Sequence, residues 1–432
     1  MSAIPVYLFT YNCGKKTIDA RKFLTNFCDS LPDDVADIYV FGLEEFCSIM
    51  NGSFYDTSNQ FMLQYNELFM TGLAQKYGHH DVRFHTIGLH HIGAIGIIAI
   101  TPYPLKFSRL KFGGSGCGYG FSSMKGAVGL RVSYKVANKS VDLTFVNGHL
   151  AAHEGEAQYL QRNDNLVTIM RSLDFGDGYG VLKPNSHTFI MGDLNYRTTK
   201  KYTVDSATTK ELLTLQDQSL VHTVDIQNLV EKYDELYAGK LRGDVFTGFA
   251  EATIDFAPTY KFNVNTAIYN SKRSPSWCDR ILFQSTYNCD EDESGAQLAS
   301  KKDSSNHDHL PRVHQYNSIP SILQSDHQPV YLSMTIPFQP PNPIVSTTGY
   351  LQVLPSNVPR RHSQDSLIFD DSVTGPTDIY MKPTKYDYVI QTYVRWFSDK
   401  LIGYGLFFST TRNGRLYALL IVLAYWAFNH FT

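Results

Sequence analysis

Thr188–Arg197 reads TFIMGDLNYR and Pro275–Leu282 reads PSWCDRIL, and these two stretches decide how the chain is built. Each joins a short run of β-branched, aromatic or aliphatic residues to a polar cluster. In the first, the apolar run Thr188–Met191 ends at Gly192-Asp193-Leu194-Asn195. In the second, Trp277-Cys278-Asp279-Arg280 opens the run Arg280–Gln284. A sheet protein presents side chains to a cleft at its strand ends, so Asp193, Asn195 and Asp279 are candidates for chemistry.

The same grammar recurs along the chain. Ile4–Tyr11, Asp37–Leu43, Ile92–Ile100, Gly126–Val136, Val141–Asn147 and Pro329–Ile336 read as further strands. Ser58–Lys76 and Glu154–Leu173 carry apolar residues every three or four positions and read as helices. Strands and helices in this order predict layered sheets covered by helices. More polar groups fall at strand ends: Asn12 after the first strand, Glu44-Glu45 after the second, His149 in Asn147-Gly148-His149-Leu150, and Asp326-His327 before the last. One such residue alone is an ordinary turn-former. Together they supply carboxylates and an amide for a hard cation, and two imidazoles for a phosphoryl group.

Composition bounds the function. The 432 residues are 43% hydrophobic and 18% charged, a globular balance, and the formal net charge is −3. No global basic field exists, so a nucleic-acid partner is disfavoured and a polyanionic substrate must be gathered by a local Lys/Arg cluster. The six cysteines form no CxxC pair, which excludes the usual zinc spacing and a small disulfide scaffold. No cysteine has Arg six places later, so a Cys-x5-Arg phosphatase loop is absent. The N-terminus lacks a basic stretch before a long apolar one, and a reducing, cytosolic setting is expected for the catalytic part.

GDLNYR and PSWCDRIL resemble the two signatures of the inositol polyphosphate 5-phosphatases, within the magnesium-dependent endonuclease/exonuclease/phosphatase superfamily. TYNCG, GLEEF, KGAVGLR (Lys125–Arg131), GHLAAHE (Gly148–Glu154), PTYKF (Pro258–Phe262) and SDHQPV (Ser325–Val330) follow the same order. Ile190 stands where the family usually has Trp, Met124 where it often has Asn, and Lys272 and Arg273 are adjacent where one residue usually separates them. The resemblance implies an α/β four-layer sandwich, with two packed mixed β-sheets flanked by helices. It implies Mg²⁺ held by Asn12 and Glu45 with Asp326, water oriented by Asp193, and phosphoryl contacts from Asn195. His149 and His327 would neutralise charge, with Asp279 fixing the His327 tautomer. Lys125, Arg197, Tyr260, Lys261, Lys272, Arg273 and Arg280 would hold the rest of a phosphoinositide headgroup. The implied reaction is removal of the 5-phosphate of phosphatidylinositol 4,5-bisphosphate. A sphingomyelinase or abasic-site nuclease of the superfamily would share the metal carboxylate, Asp-x-Asn and Ser-Asp-His but lack the Tyr-Lys and Trp-Cys-Asp-Arg segments. A catalytically dead membrane adaptor would not need the intact set.

Three stretches stand apart. The glycine-rich Phe112–Gly126 lacks G-x-G-x-x-G spacing and reads as a loop carrying Tyr119 and Phe121. Asn288–Ser318 is polar and reads as a surface insertion, and its Asn306-His307-Asp308-His309 as a solvated loop. Arg360-Arg361-His362-Ser363 matches a basophilic-kinase site of a kind common by chance. The boundaries expected are a catalytic domain over 1–338, a flexible linker over 339–400 and a membrane anchor over 401–432. Within the last, Leu416–Thr432 is uncharged and would extend about 25 Å as a helix, against roughly 27 Å of hydrocarbon in a thin bilayer. Lys382, Lys385, Arg395, Lys400, Arg412 and Arg415 precede it, which leaves the catalytic domain cytosolic. The tail resembles that of small fungal 5-phosphatases anchored in the endoplasmic reticulum membrane.

Overall fold

Ile4, Val6 and Leu8 of strand β1 (Ala3–Asn12) enter one hydrophobic core, while Tyr7, Phe9 and Tyr11 enter another. Side chains alternate across a strand, so apolar residues on both faces mean a sheet covered on both sides. This computed structural model describes residues 3–16, 18–198, 225–287, 310–352 and 376–431.

Two six-stranded sheets form the centre. The first runs β11 (Arg312–Ser318), β12 (Val330–Pro337), β1, β2 (Ile38–Glu44), β4 (Ile95–Thr101), β3 (His85–Ile92). The second runs β5 (Phe107–Gly116), β6 (Gly126–Val136), β7 (Lys139–His149), β8 (Ser186–Asp193), β10 (Asp279–Gln284), β9 (Phe249–Glu251). In each sheet the central pair, β1–β2 and β7–β8, is parallel. The neighbours β12 and β10 run antiparallel, so both sheets are mixed. Ile4, Val6 and Leu8 meet Leu130, Leu143 and Met191 between the sheets. The helices Ala20–Ser30 and Tyr55–Tyr77 cover the first sheet with Phe23, Phe27 and Phe69, and the Phe69 ring stacks on Phe41 at 4.0 Å. The helix Glu156–Ser172 covers the second with Leu166 and Ile169. The result is the expected four-layer sandwich.

Two close approaches set the register at the functional end. A Cβ on Gly42 would come within 2.2 Å of the Asn147 amide, whose Nδ2 donates across the sheets to the carbonyls of Leu43 and Gly96. Gly192 has φ +134° and lies where a Cβ would come within 2.0 Å of the Gly148 carbonyl, so GDLNYR needs its glycine.

Each strand expected from the sequence is present, within a few residues at its ends. The edge strands β3, β5, β9 and β11 were not expected, because their residues are partly exposed and polar or glycine-rich. The glycine-rich stretch is therefore strand to Gly116, with the turn Tyr119–Phe121 beyond it. Residues 312–318 of the expected insertion are β11. Positions 288–309 and the Ser363 motif lie outside the described residues. The expected linker needs correction. Ile344, Val345, Leu351 and Met381 are buried in the outer core of the second sheet. β13 (Tyr350–Gln352) pairs with β14 (Pro376–Tyr380), and the helix Arg395–Thr410 packs back on the domain. The helix Arg412–Phe431 occupies the tail with Leu416, Leu419, Leu420 and Val422 exposed. Among the described residues no helix is long and apolar enough to cross a membrane, so the expected span is not seen.

Arg280 also departs from expectation. It is fully buried, with Nε and Nη2 donating to Glu251 and Nη1 to Asp234, each within 2.7–3.0 Å. Arg280 is therefore a structural cation beneath the site, not a substrate ligand. Removing one partner of such a buried cluster leaves uncompensated charge, so Arg280→Ala should lower the unfolding free energy by about 3–5 kcal/mol in urea titration. A stability loss below about 1 kcal/mol would return Arg280 to the substrate-binding set.

Candidate active site

The strand ends meet at one edge of the sandwich. Asn12 lies opposite Glu44 at the end of the β1–β2 pair, and His149 opposite Asp193 at the end of β7–β8. β10 begins with Asp279 opposite Asp193, which joins the two signatures. The Leu194 N–H donates to the Cys278 carbonyl at 2.8 Å, and Trp277, fully buried, donates its indole N–H to the Phe256 carbonyl at 2.8 Å. The Cys278 thiol is buried and pushed well above its ordinary range by burial, so it is no nucleophile.

Asp193 is the hub. Its Oδ2 accepts from Asn12 Nδ2 at 2.8 Å and lies 3.3 Å from His149 Nε2 and 3.9 Å from His327 Nε2. Its Oδ1 accepts from the Asn195 N–H at 3.1 Å, which the left-handed backbone of Asn195 permits. Burial opposes its ionisation, but His327, His149 and Lys125 overcome this and hold the carboxyl well below the usual range. On the far side, His327 Nδ1 meets Asp279 at 3.0 Å, and Thr259 donates to that carboxylate at 2.6 Å. Burial alone would strip the His327 proton; Asp279 and Asp193 reverse that and raise it to about 9. His149 moves the other way, lowered by burial and by Lys125, whose Nζ touches its Nε2. Burial in turn lowers Lys125 to about 8.

A pocket of about 100 Å³ opens beside this cluster, lined by Lys15, Glu45, Ser123, Lys125, His149 and Asp399. Of the adjacent glutamates, Glu44 is sealed and its pKa is pushed well up by burial, whereas Glu45 faces the pocket. Burial opposes Glu45 ionisation, but His149 and Lys15 prevail and lower its pKa. The expected headgroup residues divide. Arg197 is buried, stacks on Tyr260 at 4.4 Å, donates to Asn195, and among the described residues keeps Nη1 without a partner. Tyr260 packs on His327 with ring centroids 4.5 Å apart. Lys261 Nζ pairs with Asp326 at 2.6 Å. Lys272 and Arg273 stand exposed on the loop before PSWCDRIL, apart from the buried cluster.

A family model described as Endonuclease/Exonuclease/phosphatase family 2 matches residues 9–333. The chain belongs to this family. Among curated relatives, the type IV inositol polyphosphate 5-phosphatase 11 of Arabidopsis thaliana is 34% identical over 52% of this chain and 56% of its own. The phosphatidylinositol 4,5-bisphosphate 5-phosphatase A of Mus musculus is 31% identical over 71% of this chain and 28% of its own. The chain thus spans about half or less of the length of these relatives. Among solved structures, the inositol polyphosphate 5-phosphatase domain of SPsynaptojanin, in complex with inositol (1,4)-bisphosphate and calcium ion, is similar with a TM-score of 0.57. It is 23% identical and covers 78% of this chain and 84% of that one. A Cimex nitrophorin ferrous NO complex is similar with a TM-score of 0.51 and 18% identity, covering 78% and 99%. Both likenesses show the fold alone.

In this member of the family, the donor chemistry fits a hard divalent cation. Glu45 supplies an ionised, pocket-facing oxygen, with Asn12 on the neighbouring strand end and Asp193 bonded to it. Asp193, Asp279 and His327 also offer ligand atoms that all lie within 4.8 Å of one another. His327 Nδ1 is hydrogen-bonded to Asp279 at 3.0 Å and its Nε2 lies 3.9 Å from Asp193, so the imidazole stands between two carboxylates that favour its protonated form. Asp326, expected as a third ligand, is tied to Lys261. Three contributors escaped sequence reading: Lys15 beside Glu45, Thr259 on Asp279, and Asp399. Thr259 adjoins PTYKF and was within reach; Asp399 falls in the presumed linker. Millimolar Mg²⁺ should raise the melting temperature of the wild type by a few degrees through ligand linkage and leave Glu45→Ala unmoved. Equal shifts in both proteins would place the cation elsewhere.

Proposed function

We propose that the chain is a Mg²⁺-dependent phosphoinositide 5-phosphatase converting phosphatidylinositol 4,5-bisphosphate to phosphatidylinositol 4-phosphate and phosphate. The observation that carries this is Asp193 held ionised between the Asn12 amide and two imidazoles, with donors of Asn195 and Arg197 alongside. Phosphoryl transfer asks chiefly for alignment and charge stabilisation. Asp193 holds its proton too weakly to capture one for long, so it orients the attacking water. Protonated His327, fixed by Asp279 and Thr259, meets the charge on the phosphoryl oxygens, and Asn195 and Arg197 Nη1 add neutral and charged donors. The water oxygen bonds to phosphorus as the bond to the inositol oxygen breaks, and a proton from the water ends on that oxygen, leaving an inositol hydroxyl and inorganic phosphate. Mg²⁺ on Glu45 and Asn12 would supply further neutralisation of that charge. The names of the relatives support the substrate class. Lys261, beside Tyr260, is the group we assign to the 4-phosphate, exchanging Asp326 for it.

We further propose that the protein acts on the cytosolic face of the endoplasmic reticulum membrane, attached through the helix Arg412–Phe431. Supporting this, Leu416, Leu419, Leu420, Ile421 and Val422 are exposed, and Arg412 and Arg415 precede them.

Phosphate release from short-chain phosphatidylinositol 4,5-bisphosphate should require Mg²⁺ and stop in EDTA. Asp193→Ala should lower kcat on the order of 10³-fold with the melting temperature kept. More than a tenth of wild-type turnover in that variant would refute the role of Asp193. Lys261→Ala should reduce hydrolysis of this substrate far more than of one lacking the 4-phosphate, and equal losses would make Lys261 structural. Leu420→Asp with Val422→Asp should release the chain from carbonate-washed microsomes, since a buried acid costs roughly 3 kcal/mol; a double variant still in the pellet would place the attachment elsewhere.

A further inference from the structure

The helix Arg395–Thr410 reaches the mouth of the pocket from the far end of the sequence. Asp399 Oδ1 accepts from the Ser123 N–H and Oδ2 from the Ser123 hydroxyl, both at 2.7 Å. One residue earlier, Ser398 Oγ donates to the Gly120 carbonyl at 2.7 Å. In the preceding π-helical turn, Gln391 accepts from the Gly116 N–H at 2.7 Å and donates to the Gly116 carbonyl at 3.2 Å. The C-terminal segment thus grips the β5–β6 connection at its start, middle and end. That connection carries Lys125, which lies two residues past Ser123 and touches His149.

Within the connection the Gly118 N–H donates to the Ser122 carbonyl at 3.0 Å, Phe121 to Gly118 at 2.9 Å and Ser122 to Tyr119 at 3.1 Å, and none of these bonds engages Ser123. The connection contains Gly118 and Gly120, the latter at φ +58°, and its closing bond is the Cys117 N–H to the Lys125 carbonyl at 2.7 Å. Glycines leave many backbone states open, and Ser123, two residues before Lys125, donates its hydrogen bonds to Asp399, outside the connection. A carboxylate taking both the N–H and the O–H of one residue fixes backbone and side chain together. Asp399 itself lines the pocket with Ser123, Lys125 and His149.

We propose that Asp399 is a positioning residue for Lys125, so that the C-terminal helix is a wall of the active-site pocket. It acts by holding Ser123, and through it the ammonium that meets the substrate. This rests on the reading above that the pocket binds a phosphorylated headgroup. The clamp also ties the pocket to the helix that ends at Thr410, two residues before Arg412, where the exposed apolar helix begins.

The test compares Asp399→Leu, Asp399→Asn, Lys125→Met and the Leu/Met double variant, in the full chain, on short-chain phosphatidylinositol 4,5-bisphosphate. Asp399→Leu, close in size and without acceptors, should lower kcat/KM about tenfold by misplacing a binding group. Asp399→Asn should stay within about twofold, because its amide still accepts from the Ser123 N–H and donates to the hydroxyl oxygen. The double variant should match Lys125→Met alone, as expected of residues acting through one another. Hydrogen exchange of residues 117–125 should speed up in Asp399→Leu and stay at the wild-type rate in Asp399→Asn. Should Asp399→Leu fail to fold, Ser123→Ala removes the hydroxyl bond alone and should lower kcat/KM about threefold. Losses that multiply in the double variant, or unchanged exchange at 117–125, would overturn the proposal. If the wild type hydrolyses no phosphoinositide, the functional reading fails, while the exchange measurement still decides the clamp.

Discussion

Asp193 keeps its charge although it is almost wholly buried, and the rest of the site is arranged around that fact. Burying a lone carboxylate is costly enough that it would take up a proton instead. Here Asn12, the Asn195 N–H and two imidazoles supply the compensation, each from a different strand end or the turn beside it. Bringing them to one point requires two parallel strand pairs ending at the same edge of two packed sheets. Gly42 and Gly192 are the places where that approach leaves no room for a side chain.

The electrostatics then separate the two histidines. His327 is paired with Asp279 and keeps a proton, while His149 shares its space with Lys125 and is pushed toward the neutral form. The two imidazoles differ because their second partners differ, an acid for one and a cation for the other. Beneath the site, Arg280 spends its donors on Asp234 and Glu251, so neighbours in PSWCDRIL serve opposite ends: Asp279 the chemistry, Arg280 the foundation.

Central strands were legible because their apolar residues fill two cores, as in β1, and such runs stand out from any sequence. Edge strands were not. β11 (RVHQYNS) exposes most of its side chains, and β5 ends in glycines, so neither carries the period-two signal. At the site, residues on strand ends were readable one by one, including the Asp193 and Asp279 pair. What composition could not reveal was which of two adjacent groups faces inward: Glu45 over Glu44, Asp279 over Arg280. Nor could proline and polar content show that Val345, Leu351 and Met381 bury themselves in the second sheet's outer core. Asp399 was hidden for the same reason, since its partner Ser123 is 276 residues away.

The central claim is that one water, aligned by Asp193, attacks the phosphorus of the 5-phosphate. Hydrolysis of phosphatidylinositol 4,5-bisphosphate in oxygen-18 water, with mass spectrometry of both products, tests it most directly. The account predicts a single heavy oxygen in the released inorganic phosphate, none in the lipid, and phosphatidylinositol 4-phosphate as the lipid product. Heavy oxygen in the inositol hydroxyl, or phosphatidylinositol 5-phosphate as the product, would contradict it.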